Sequence, residues 1–270
     1  MIITHKIPWA KCLSNQIFPA IEKGWSDEGR PTHFFWGLAG NNIKEIKDCI
    51  DKNEDWYYID VGYLTKQITR YPEPVIHEYD KTYFRIVKGG IHTIRGKIGT
   101  GARLNKLETQ GIDVNFKGWD TGDTKHILLC PSSPTVTYHI NGITQEEWIK
   151  QVTLEIKKYT DREIRLRNKP RPGNKWWDTD IKEQLIDCHA IVTNMSLSAI
   201  DAILNQTPAI THQRNVASFI TSKDISKIEK PMRPGHKTVN EWLKMITENQ
   251  FTLEEIENGI AYKTMKEQPQ

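Results

Sequence analysis

Asp187-Cys188-His189-Ala190-Ile191-Val192-Thr193-Asn194-Met195-Ser196-Leu197-Ser198-Ala199-Ile200-Asp201-Ala202-Ile203-Leu204-Asn205-Gln206-Thr207-Pro208-Ala209-Ile210 is the stretch that decides the fold. An apolar run ends at Thr193, small polar residues fill a turn, a helix runs over 196–204, and a second strand follows at 208–211. Strand, helix, strand in so short a span is the pattern of parallel strands joined by a covering helix. The free N–H groups and positive dipole end of that helix form an anion site, to which the turn hydroxyls add donors for phosphate or ribose. The same residues also describe an ordinary βα unit with a serine N-cap. No glycine-rich P-loop and no GxGxxG occurs, which disfavours Walker-type and dinucleotide-type phosphate cradles.

The alternation extends on both sides. Upstream lie a strand at 126–130, a helix at 145–159, a strand at 163–167 and a helix at 180–186. Downstream come helices at 239–248 and 254–261, the second opened by the capping box Thr252-Leu253-Glu254-Glu255. The amino-terminal part repeats the plan. A strand at 2–4 precedes Ala10, Leu13, Ile17 and Ile21 at helical spacing, and a strand at 34–38 follows. Asn41 or Asn42 caps a helix marked by Ile43, Ile46, Cys49 and Ile50, and a strand covers 56–61. The expectation is α/β, with two Rossmann-like doubly wound lobes: residues 1–122, residues 123–235, and carboxy-terminal helices over 236–270. A ligand crevice is expected at the carboxyl ends of the strands, between the lobes.

Two hundred and seventy residues suit two small cores, and 37% hydrophobic with 26% charged residues excludes a disordered chain. Mean hydropathy is −0.59, and no run reaches the ~18 apolar residues of a spanning helix. A cytoplasmic protein is expected. Cys12, Cys49, Cys130 and Cys188 stand far apart without CxxC or Cys/His ligand spacing, so they read as reduced core thiols and no metal is expected. The net charge is only +3, but residues 81–106 hold seven basic residues and no acidic one. Residues 161–175 form a second basic cluster. Two positive regions in a nearly neutral chain suggest polyanionic partners.

Two further turns would face the same sheet edge as the 193–198 turn. Pro131-Ser132-Ser133-Pro134 follows the 126–130 strand, where Ser132 and Ser133 offer hydroxyl and backbone donors. Asn168-Lys169-Pro170-Arg171-Pro172-Gly173 follows the 163–167 strand, where Arg167, Lys169 and Arg171 supply counter-charge for a diphosphate. The bland reading of the latter is a solvated edge strand.

Taken together, Trp36-Gly37-Leu38-Ala39-Gly40-Asn41-Asn42, Tyr58-Ile59-Asp60-Val61-Gly62-Tyr63, Cys130-Pro131-Ser132-Ser133 and Lys169-Pro170-Arg171 resemble motifs of a group of phage-encoded proteins. With the two-lobed plan, the chain resembles glycosyltransferases of the GT-B class. It departs from many of them in lacking a Glu-x7-Glu element; a single Asp201 occupies the corresponding helix. The resemblance implies a nucleotide-sugar donor, UDP-linked, held by the second lobe through Ser132, Ser133, Arg167, Lys169, Arg171, Asn194, Ser196, Ser198 and Asp201. It implies no metal for the chemistry, and no DxD motif is present to hold one. An inverting member needs a general base, for which Asp60 is the first choice and His92 the second. Gly62 would allow close backbone approach.

The acceptor is read from the basic stretch. Seven cations with Tyr83, Phe84 and His92 among them suit a phosphate-tracking surface with stacking groups. Asn41, Asn42, Tyr63, Arg85, Lys88, Arg95 and Lys97 are therefore the expected acceptor-binding residues. Together with the resemblance, this implies a phage enzyme in an infected bacterial cell that glycosylates 5-hydroxymethylcytosine in double-stranded DNA. Such an enzyme extrudes its target base or bends the duplex. The competing readings are a glycosyltransferase acting on a surface glycan, a non-catalytic DNA-binding protein and a nucleotide-sugar epimerase of similar two-lobed shape.

Overall fold

The computed structural model describes residues 1–7, 13–66, 68 and 73–268. Ala10 and Cys12, read above as a helix position and a core thiol, lie outside the described residues. In chain order the elements are β1 (Ile2–His5), α1 (Ser14–Gly24), β2 (Thr32–Trp36), α2 (Asn42–Asp51), β3 (Asp55–Val61), β4 (Phe84–Lys88) and α3 (Ala102–Thr109). There follow β5 (His126–Leu129), α4 (Pro134–Asn141), α5 (Gln145–Ile156), β6 (Glu163–Leu166), α6 (Ile181–Leu185), β7 (Cys188–Thr193), α7 (Ser198–Leu204) and β8 (Ala209–Thr211). The chain closes with α8 (His236–Glu248), β9 (Gln250–Phe251), α9 (Leu253–Glu257) and α10 (Ile260–Lys266).

Two compact units result, one of residues 1–114 with 243–270 and one of residues 115–242. The boundary expected near 122 falls inside the second unit. Of the carboxy-terminal segment, residues 243–270 belong to the first unit, and α8 begins in the second.

The first unit holds the sheet β1-β2-β3-β4-β9. Strands β1, β2 and β3 are parallel, as the alternation implied, but β4 and β9 are antiparallel to their neighbours. The expected doubly wound lobe is therefore mixed here. Its core gathers Ile17, Phe18 and Ile21 of α1, Phe34, Tyr57 and Ile59 of the strands, and Phe84, Ile86 and Phe251. The returning segment is locked by three devices. Gln250 exchanges hydrogen bonds with the backbone of Leu64, Arg103 pairs with Glu248 and Glu255, and the Thr252–Glu255 capping box opens α9 as read from the sequence.

The second unit holds the all-parallel sheet β6-β5-β7-β8. Buried Ile127, Leu129, Ala190, Val192 and Ile210 form one layer of its core against Trp148 and Ile156 of α5. Strands β5, β7 and β8 are fully buried, as strands covered on both faces are, while β6 is an exposed edge strand. Helix α7 starts at Ser198, two residues later than expected, and no serine caps it. Cys49, Cys130 and Cys188 are free and buried.

Gly24 closes α1 against α9, where a Cβ would stand 1.8 Å from the Ile256 carbonyl oxygen. Gly24→Ala is expected to destabilise the first unit by at least about 2 kcal/mol in urea unfolding. Gly235→Ala, whose Cβ would meet nothing within 4 Å, is the control and should be near neutral.

Candidate functional site

All four strands of the second unit end at one edge, and the turns that leave them are tied to each other. Asn194 is the knot. Its Oδ1 accepts from the backbone N–H groups of Ser132 (3.1 Å) and Met195 (2.9 Å), and its Nδ2 donates to Asn141 Oδ1 (3.1 Å). Its carbonyl accepts from Asn215 Nδ2 (2.9 Å). Ser132 Oγ accepts from Met195 N–H (2.9 Å) and its carbonyl accepts from Thr137 Oγ1. Ser133 caps α4, accepting from Val136 N–H. The turns after β5, β7 and β8 are thus held by amide and hydroxyl groups almost wholly buried. Ser132 and Asn194, both expected as donor-binding residues, brace the edge through these bonds.

At β6 the chain places Arg167, which is buried and clamps the 168–179 loop through Thr179 Oγ1 (2.9 Å) and the Thr179 carbonyl (2.8 Å). Lys169 and Arg171 are exposed on that loop, whose bend is organised by Asn174 bonding the backbone of Lys169, Arg171 and Trp176. Ser196 Oγ accepts from Ser198 N–H. Asp201 is exposed along α7, yet the protein packed around it desolvates the carboxyl and, with Asp180, pushes its pKa up to about 6. Arg167 and Lys182 oppose that rise.

One polar atom at this edge is buried without a hydrogen-bond partner, Asn168 Oδ1 after β6, whereas Ser198 at the start of α7 meets the buried Cys130 thiol. An unsatisfied buried acceptor or hydroxyl costs about 1–3 kcal/mol, so such atoms mark where a ligand or water completes the structure. Asn168 was part of the quoted turn but not among the expected site residues. Its signal was only its place directly after a strand. His139 of α4 and His212 after β8 add imidazoles that face Arg214, and burial with that cation lowers the pKa of both. They too were missed.

In the first unit the expected acceptor residues form an internal network. Asp60 accepts from Tyr58 Oη (2.9 Å), Arg85 Nη2 (3.0 Å) and Val61 N–H (2.8 Å). The Arg85 side chain is 6% exposed, donates also to the Val61 carbonyl, and lies over the rings of Tyr58 and Tyr63. Desolvation works against its cation, but Asp60 and the two tyrosines outweigh it and hold its pKa above the ordinary value. Tyr63 Oη bonds Thr93 in the buried interior. His92 is buried, not exposed on a loop, and desolvation together with Arg85 drives its pKa well below 6.5. Asn42 is buried and donates to the carbonyls of Trp36 and Gly37, Asn41 is exposed, and neither side chain caps α2. Gly62 is needed for close approach, but to β4: a Cβ there would stand 2.8 Å from the Tyr83 carbonyl oxygen.

The basic stretch 81–106 is neutralised within its own unit. Lys81 pairs with Glu78, Arg85 with Asp60, Lys88 with Asp55, Lys97 with Glu267, and Arg103 with Glu248 and Glu255. Arg95 is exposed. Tyr83, Phe84 and His92, expected as stacking groups, are buried. This corrects the reading of a phosphate-tracking surface: the charge that looks unopposed in sequence is opposed by distant carboxylates in space.

No protein-family model and no curated protein matches the chain. Among solved structures it is similar to Thermosulfurimonas dismutans KpsC, beta Kdo 2,7 transferase, with TM-score 0.55 and 12% identity over 97% of this chain and 99% of that chain. That likeness is one of fold. Thermosulfurimonas dismutans KpsC, beta Kdo 2,4 transferase, aligns with TM-score 0.48 and 9% identity over 84% and 85%. Neither bears on a phage origin or a DNA substrate.

Removing the knot should loosen three turns at once. Asn194→Ala is expected to cost about 2–3 kcal/mol in chemical denaturation, since it strands the Ser132 N–H and Asn141 Oδ1 in the interior. A second expectation concerns pH. His5, His92, His126, His139, His189 and His212 all have folded pKa values lowered from 6.5 by burial. Below about pH 6.5 the unfolded chain takes up protons that the folded chain does not, so stability falls as pH drops through that window. Urea midpoints between pH 7.5 and 5 should decline steadily, and His92→Gln should flatten the decline.

Proposed function

We propose that this protein is a glycosyltransferase that moves a sugar from a nucleotide-sugar donor to a glycan acceptor. The observation that carries the reading is the fold likeness, nearly end to end, to a Kdo transferase. The donor would lie at the strand ends of the second unit. Lys169 and Arg171 are exposed cations there, and Asn168 Oδ1 is a buried acceptor without a hydrogen bond. Cations and backbone donors aimed at a departing diphosphate stabilise its charge without a metal. Ser133 and Ser196 would contribute through the turns they order.

A glycan acceptor is favoured over DNA because the case for DNA rested on the 81–106 stretch. Five of its seven cations face carboxylates of the same unit, and those carboxylates would repel a phosphate backbone. Asp60 remains our choice of general base if the reaction inverts. Its carboxylate accepts from Tyr58 Oη, Val61 N–H and Arg85 Nη2, three bonds that fix its orientation. His92, being buried, would act only through Arg85.

The test is turnover of a panel of nucleotide sugars, UDP-linked and Kdo-linked, against surface-glycan fragments and hydroxymethylcytosine DNA, read by mass spectrometry. Sugar added to glycan, with rates insensitive to salt, is expected. Sugar mass on the DNA nucleoside with a steep salt slope would restore the DNA acceptor, and failure of every donor to bind or turn over would overturn glycosyl transfer itself. Lys169→Ala and Arg171→Ala should each raise the donor KM about tenfold, the loss of one charge-assisted hydrogen bond. Asp60→Asn should lower kcat by about a hundredfold or more while donor binding persists; an equal loss of donor binding would make Asp60 a structural partner of Arg85 alone.

A further inference from the structure

We propose that His33, Cys49 and Glu54 bind a divalent ion of the zinc class in the first unit. His33 Nε2, Cys49 Sγ and a Glu54 carboxylate oxygen all lie within 4.8 Å of one another. An ion of this class bonds sulfur at about 2.3 Å and nitrogen or oxygen at about 2.0–2.2 Å, so three ligand atoms this close need only small rotamer shifts to enclose it. A thiolate, an imidazole and a carboxylate together select zinc, cobalt or nickel over magnesium or calcium, which take oxygen alone.

The local chain is built to bring these groups together. Helix α2 ends at Asp51, and Asn53 turns the chain with φ of 54°. Glu54 N–H then donates to the Cys49 carbonyl at 2.9 Å, which folds Glu54 back beside Cys49. His33 comes from β2.

His33 carries the second and independent sign. Its Nε2 is a buried atom without a hydrogen bond, and Glu54 Oε2 stands 3.1 Å away within ion-pair distance. A nitrogen so placed is explained by a ligand lying among the three side chains. Its other nitrogen, Nδ1, is 2.9 Å from His5 Nε2. Where His5 Nε2 accepts from Nδ1–H, that bond selects the tautomer whose Nε2 lone pair faces the other two ligands. His5 is itself held by stacking on Phe35, centroids 4.0 Å apart.

Cys49 is 2% exposed, whereas the Glu54 side chain is 26% exposed and leaves an entry path and room for a fourth ligand from solvent. Burial and Glu54, Glu45 and Asp48 raise the Cys49 thiol to about 11, so the ion would displace its proton. His33 lies toward the amino ends of the parallel strands, and Asp60 toward their carboxyl ends. The ion is therefore assigned a structural role, independent of the glycosyltransfer reading.

The test uses the full chain, stripped with chelator and titrated with Co²⁺ as the probe, then with Zn²⁺ in competition. One equivalent of Co²⁺ should give a thiolate-to-cobalt charge-transfer band and intense visible bands of low coordination number, both abolished by Zn²⁺. Cys49→Ser should remove the charge-transfer band, and Cys188→Ser should keep it. A wild-type chain without the band, or a band that survives Cys49→Ser, overturns the proposal. Because a buried cysteine variant can misfold, Glu54→Gln provides the second arm. It should keep the wild-type circular dichroism and bind Co²⁺ at least about tenfold more weakly; unchanged affinity would also overturn the assignment.

Discussion

The ion pair between Arg85 and Asp60 sets the terms for the whole first unit. A guanidinium almost removed from water is several kcal/mol unfavourable unless an opposite charge and enough acceptors surround it. Asp60, the Val61 carbonyl and the faces of Tyr58 and Tyr63 meet that demand. Meeting it fixes β4 beside β3 in antiparallel register, Asp60 opposite Arg85, and presses the 91–93 segment over the pair. The next position outward, Gln250 of β9, pairs with Arg85 in the ladder. A charge that must be buried thereby specifies where the carboxy-terminal segment returns. Arg103 repeats the device by binding Glu248 and Glu255 on either side of β9.

That dependence explains which parts of the fold were legible. Strands β5, β7 and β8 were readable because strands covered on both faces are almost continuously apolar, and their helices follow at short spacing. Strand β4 was not, since Phe84-Arg85-Ile86-Val87-Lys88 alternates apolar and basic residues as an exposed hairpin would. Only the carboxylates of β3, remote in sequence, make Arg85 an interior residue. Strand β9 is two residues long, below any periodicity, and exists because it closes an edge. Counting charge along the chain erred for the same reason. Lys97 and Glu267 are 170 residues apart, so no window on the sequence contains both.

The candidate site was legible by place more than by role. The turns after β5, β6 and β7 were correctly brought to one edge, because a parallel sheet leaves its strands' carboxyl ends on the same side. Which side chains brace and which are left facing outward depends on hydrogen-bond geometry. Asn194 and Ser132 satisfy one another, while Asn168, equally ordinary in sequence, leaves its Oδ1 without a hydrogen bond. The cluster of His33, Cys49 and Glu54 gave no warning at all. Its three residues come from a strand, a helix and a left-handed turn, so no ligand spacing exists to be recognised.

The two kinds of site sit where backbone electrostatics favours them. In a parallel βα arrangement each helix starts beside a strand's carboxyl end and finishes near the amino end of the next strand. Its first turn offers unpaired N–H groups and partial positive charge, and its last turn offers carbonyls and partial negative charge. The carboxyl edge of the second unit, with Lys169, Arg171 and the first residues of α4, is accordingly suited to an anion. The last turn of α2, with Cys49 and then Glu54 folded back upon it, is suited to a cation. The helix itself adds a few tenths to about 1 kcal/mol at either end. That is too little to create a site, but enough to decide which sign of ligand each end of the sheet can keep once side chains have gathered there.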